Sequence, residues 1–293
     1  METSPQPDTP LLIASVIILG VLLCSLILWY RRLRTRKDSI LPSTRVDSWT
    51  IGWVNFGLFI CGLILCVSLF QTAGGLLHQH FFEDNATELT PWLAVYAVLL
   101  LQVPLFIAYY LSQRCFANYF ACQINFKPFT LLQAASSTLP VFIRFLPLIW
   151  LASLLWTHIL EDLQGFGLIN EAPPQELVQL FQSGGHPLAI GLLVIFAVVL
   201  APIVEEIIFR ACIYRFLKGQ MSLLLAQLLS ATLFALVHAN LLSFAPLLLV
   251  GILLARNYER SGNLLVPILF HAFFNAFSLT MLLLISQSDW PMP

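Results

Sequence analysis

Charge is what this chain has least of. Only 10% of its 293 residues are Asp, Glu, Lys or Arg, against about 25% in an ordinary soluble protein. The 14 basic and 15 acidic residues leave a formal net charge of -1. No basic footprint exists for a phosphate backbone, so nucleic acid is excluded as a partner. Cysteine is sparse too: six residues with no Cys-x-x-Cys spacing, which excludes a disulfide framework and a thiol redox motif. Short alternating segments of the kind that build barrel strands are missing, as are internal repeats and low-complexity tracts. The leader METSPQPDTP lacks the basic start of a signal peptide, so the apolar run after it reads as a retained helix.

What the chain has is apolar residues, 59% of the total, with 23 Phe among them. A soluble fold of this size could not hide so much apolar surface. A helix needs about 20 apolar residues to cross the hydrocarbon core. Eight stretches are expected to do so, over 10–30, 51–71, 92–112, 138–159, 187–209, 221–240, 243–256 and 263–286. The expected fold is therefore all-α, a polytopic bundle of about eight membrane-spanning helices in the lipid bilayer. A four-span N-terminal region over 1–186 precedes a core over 187–286.

Basic residues alternate along this map. Arg31, Arg32, Arg34, Arg36, Lys37 and Arg45 separate the first two spans, and Arg114 and Lys127 the next pair. Arg215, Lys218, Arg256 and Arg260 follow later spans. The connections 72–91 and 160–186 carry acids but no Lys or Arg. The positive-inside pattern then places both termini outside the cytoplasm. Arg144, near the start of span four, is expected to snorkel. Residues 174–182 read as a short interfacial helix, and Asn85-Ala86-Thr87 is an acceptor sequon of little weight.

Ionisable groups inside spans are expensive, so each is a candidate for function. Three helices carry nearly all of them. Glu205 and Glu206 are adjacent, and two neighbouring carboxylates in low dielectric do not ionise easily together. Arg210, four residues on, shares the face of Glu206 and is assigned to it. That leaves Glu205 for chemistry. Phe234 lies one turn before His238 and is expected to pack beneath it. His271 and Asn275 point the same way from the last span. An acid, two imidazoles and an amide are an inventory for activating water and stabilising an oxyanion. At about 1.5 Å per residue, Glu205 lies about 15–20 Å from the basic side and His271 and Asn275 roughly 14–20 Å. His238 comes out at about 25 Å, so a shared site requires its helix to tilt or to start higher.

The series Glu205-Glu206-x-x-x-Arg210, Phe234-x-x-x-His238 and His271-x-x-x-Asn275 resembles the type II CAAX prenyl endopeptidase family, also called Abi or CPBP. The stretch 256–264 resembles the family's connector. The likeness covers roughly 187–286. It implies an intramembrane endopeptidase acting on a membrane-associated protein or peptide, and the family's name points to prenylated or lipidated ones. Glu205 and His238 would activate the water, and His271 and Asn275 would hold the oxyanion. Glu206 and Arg210 would support them. Members have been described both as zinc enzymes and as glutamate-dependent ones. No His-Glu-x-x-His helix is present, and zinc is not expected to be required. If bound, its ligands would be Glu205, His238 and His271. Two rival readings are a non-catalytic immunity or scaffold protein of the same fold and a proton-coupled transporter.

Overall fold

The computed structural model describes residues 9–34, 46–81, 90–122, 130–170, 180–181 and 185–286. Most of the expected 174–182 helix and the Asn85 sequon lie outside them. The described elements are helical: α1 (Thr9–Arg34), α2 (Trp53–Phe81), α3 (Pro91–Cys115), α4 (Ala117–Phe120) and α5 (Leu131–Gly165). The C-terminal set follows as α6 (Pro187–Gln220), α7 (Leu223–Val237), α8 (Phe244–Ser261) and α9 (Leu265–Ser286). Local chemistry sets several ends. Thr90 caps α3 by accepting from the Leu93 N–H at 3.2 Å. Thr130 and Gln133 form a reciprocal capping box on α5. Gly262 ends α8 in the left-handed conformation, φ 65°, which glycine adopts without a steric penalty.

Six helices are long and apolar enough to cross a membrane: α1, α2, α3, α5, α6 and α9. The chain is a multi-pass integral membrane protein. Eight such helices were expected, and the difference lies in α7 and α8. The 15 residues of α7 extend only about 22 Å, short of the roughly 30 Å core. The 18 residues of α8 end in the polar stretch Arg256–Ser261. The two helices form a hairpin that goes in and comes back. Lys218 at the end of α6 meets Glu259 at the end of α8 at 2.8 Å. The Tyr214 hydroxyl donates to the same carboxylate at 2.9 Å. A hairpin returns to its starting side whether or not it crosses, so the alternation of basic residues could not count it.

The hairpin is closed by a contact that only glycine permits. A Cβ on Gly251 would lie 2.9 Å from both Cα and Cβ of Ala231 across the crossing. Gly251→Val is therefore expected to separate α7 from α8 and to destabilise the fold by about 1–3 kcal/mol. Reversible denaturation in detergent would show it, and an unchanged midpoint would refute the tight crossing.

The N-terminal helices wrap this core. α5 begins seven residues earlier than expected, which puts Arg144 about 20 Å along it. Its guanidinium lies 5.7 Å from the Trp29 ring centroid. Ser25 and Trp29 of α1 both donate to its carbonyl, at 3.0 and 3.2 Å. Before α2, the Asp47 carbonyl accepts from Arg215 Nε at 2.6 Å. The Arg215 carbonyl accepts from the Trp49 N–H at 3.0 Å. These bonds fasten the chain before α2 to the end of α6.

Candidate active site

α6 is not a uniform helix. Wider, π-helical turns occupy Phe196–Leu200 and Ile207–Tyr214, on either side of the α-helical stretch Ala201–Glu206. Such turns recur at functional sites. Pro202 accounts for the first, since it has no N–H to give the ladder. The Ala201 N–H reaches back five residues to the Phe196 carbonyl. The Ala197 carbonyl thereby loses both of its intrahelical donors. Asn275 Nδ2 donates to it instead, at 2.8 Å. Asn275 thus ties α9 to α6 and has this work to do besides any role facing His271.

Behind the site lies a fully buried charge pair. Arg210 Nη1 is 3.1 Å from Glu206 Oε1, both side chains 0% exposed. The contact lacks hydrogen-bond alignment, so it acts through charge. Arg210 Nη2 donates to the Gly251 carbonyl at 3.4 Å. Its guanidinium lies 4.4 Å from the Phe234 ring centroid, a cation–π contact in a desolvated place. Phe234 is the hub of the site. Its ring meets His238 edge-on at 4.8 Å and His271 at 5.5 Å.

Both imidazoles are oriented through Nδ1. His238 Nδ1 is 2.7 Å from the Phe234 carbonyl, a pure acceptor, so this nitrogen carries the hydrogen. His271 Nδ1 is 3.0 Å from Glu206 Oε1. The Nε2 atoms then face Glu205. Its Oε2 lies 4.0 Å from His238 Nε2 and 3.9 Å from His271 Nε2. That oxygen is buried and makes no hydrogen bond. The gaps are too wide for direct hydrogen bonds, but one oxygen atom about 2.8 Å from each group would link all three. Access comes from the His238 side: the side chains of His238 and Glu205 are 24% and 17% exposed, that of His271 4%.

Zinc can be tested against this spacing. Ligands on one tetrahedral zinc stand about 3.3 Å apart, closer than the gaps around Glu205 Oε2. Among the described residues, no group of three His, Cys, Asp or Glu is placed to hold a metal ion. As arranged, Glu205, His238 and His271 do not fit zinc.

The depth conflict over His238 also resolves. α6 continues to Gln220 and α7 starts at Leu223. Glu205 is 15 residues from that turn and His238 16 from Ser222, so both lie about 22–24 Å along their helices. His271 arrives differently, because α9 starts inside the protein, just after the buried Asn263 and Leu264.

Three motifs on three helices thus converge on one carboxylate, and the stretch that carries them, residues 187–277, matches the family model Type II CAAX prenyl endopeptidase Rce1-like. It is an Rce1-like domain of that family. The chain is also 35% identical over 93 residues to the "Putative membrane peptidase YdiL" of Bacillus subtilis (strain 168), a match covering 32% of this chain and 38% of the relative. Over 101 residues it is 35% identical to the "Uncharacterized 24.3 kDa protein" of Escherichia coli, covering 32% and 46%. It spans less than half the length of these curated relatives. No solved structure matches.

One residue of the site comes from outside the Rce1-like domain. Gln102, on α3, donates from Nε2 to Glu205 Oε1 at 3.3 Å. A search confined to ionisable groups passes over it. The available signal was a polar amide in the middle of an apolar run.

Proposed function

We propose that this protein is an intramembrane endopeptidase that hydrolyses a peptide bond in a membrane-associated, lipidated protein or peptide. The observation that carries the reading is the unpartnered Glu205 Oε2 between two imidazole nitrogens. A water held there would give its proton to Glu205 as its oxygen attacks the scissile carbonyl. His238, the more exposed ring, would help to hold that water through Nε2, then take the proton from Glu205 and pass it to the leaving amine as the C–N bond breaks. His271, its Nδ1–H held by Glu206, would carry a second proton on Nε2 and donate it in a hydrogen bond to the oxyanion. The second N–H of Asn275, the one not given to Ala197, would complete that donor pair. The family and the YdiL relative support a peptidase, and the family's name suggests a prenylated substrate. In this reading both termini lie outside the cytoplasm, as the basic residues suggest. The four-span region 1–186 then encloses the core over 187–286.

The test is hydrolysis by the purified protein in vesicles, with prenylated and acylated membrane-tethered reporter peptides in ¹⁸O-labelled water. The expected product carries one labelled oxygen in its new carboxylate. Intact reporters across the whole panel would refute the reading.

A further inference from the structure

We propose that Gln102 is a positioning residue for Glu205, contributed by the part of the chain that the family match does not cover. This rests on the reading of Glu205 as the base. The Gln102 side chain sits inside the bundle, with the residue 5% exposed. Its Nε2 donates to Glu205 Oε1 at 3.3 Å, and its own Oε1 is buried with no partner. Glu205 Oε2 is likewise buried with no partner.

These facts divide the labour between the two carboxylate oxygens. An ionised carboxylate only accepts, so the amide nitrogen must be the end of Gln102 that faces it. The bond pins Oε1 towards α3. Because the carboxylate is planar, Oε2 then points towards the Nε2 atoms of His238 on α7 and His271 on α9. Of the other charged groups on α6, Glu206 and Arg210 pair behind the site, and Arg215 and Lys218 bond to the Asp47 carbonyl and Glu259 near the helix end. Gln102 therefore decides which oxygen is free to take a proton. An amide also suits both protonation states. When Oε2 holds the proton, Oε1 is still an acceptor, so the bond from Gln102 Nε2 is kept. A leucine in this place would fill the same space but leave the carboxylate free to rotate.

The test uses the full-length protein in vesicles with the tethered reporter. Gln102→Leu is expected to lower kcat by about 10- to 100-fold, the loss of one hydrogen bond to a charged group, with KM within about twofold. In Gln102→Glu, a protonated carboxyl can donate as the amide does. Its activity is expected to be low at neutral pH and to recover towards acid pH, while the wild-type profile shows no such recovery. A purely structural role would not produce that shift. Wild-type kcat in Gln102→Leu, or an unshifted profile in Gln102→Glu, would overturn the proposal. A second arm needs no substrate. A hydrophobic carbodiimide reacts with protonated carboxyls, and its attachment to Glu205 is read by mass spectrometry. Labelling is expected to be several-fold faster in Gln102→Leu, because the carboxylate loses its donor. Equal labelling rates would overturn the proposal. If wild type cleaves no reporter, the endopeptidase reading falls, and the labelling rates still judge Gln102.

Discussion

Glu205→Gln is expected to leave the protein folded and to lower kcat for the tethered reporter by about 10²- to 10⁴-fold, the range supplied by a positioned acid–base group. The substitution keeps size and shape. It also keeps the contact on the α3 side, because an amide oxygen accepts from Gln102 Nε2 as a carboxylate oxygen does. What it removes is the proton acceptor at Oε2, 3.9 Å and 4.0 Å from the two imidazole nitrogens. KM should change little, since the lost interaction belongs to the transition state. Equal cleavage by both proteins would sink the assignment of Glu205, whatever the substrate proves to be.

Arg210→Leu is expected to be the most destabilising single change, at about 3–5 kcal/mol, the cost of breaking a buried ion pair by removing one member. Three losses coincide at this side chain. Glu206 keeps a buried charge without its cation. The Gly251 carbonyl loses its donor. The Phe234 ring loses the guanidinium 4.4 Å from its centroid. The double variant Glu206→Leu with Arg210→Leu removes both charges and should regain much of that stability. It should not regain activity, because His271 Nδ1 then lacks Glu206. Unfolding midpoints in detergent and reporter cleavage together check this. A double variant no more stable than Arg210→Leu would show that packing, not charge, is what Arg210 supplies.

The sequence made some of this legible and hid the rest for identifiable reasons. Helical class and membrane residence follow from composition and run length, because bilayer thickness sets both. The grouping of Glu205, His238 and His271 was readable because ionisable residues are rare in apolar helices. The helix count was not. The 15 residues of α7 read as part of a longer apolar run over 221–240, since hydropathy does not register where a helix turns back. Depth failed for a related reason: the basic residues Arg215 and Lys218 marked the presumed surface, whereas α6 runs on to Gln220. The bond from Asn275 to Ala197 depends on a missing N–H at Pro202, and regular helical spacing cannot express that. Gln102 is neutral, so a search by charge passed it.

The pairing of Glu206 with Arg210 also bears on the order of assembly. A charged residue near the centre of an inserting helix costs about 2.5–3.5 kcal/mol on the insertion scale. Glu205, Glu206 and Arg210 all enter on α6, ahead of α7, α8 and α9 in the chain. Because Glu206 and Arg210 are four residues apart, they can neutralise one another within α6 alone, before any neighbour arrives. The newly inserted helix then carries a single unmatched carboxyl, Glu205. An arginine placed on α9 would hold the finished site equally well, yet it would send α6 into lipid with two bare acids. Keeping the cation on the same helix as the acid makes the segment insertable before the protein is complete.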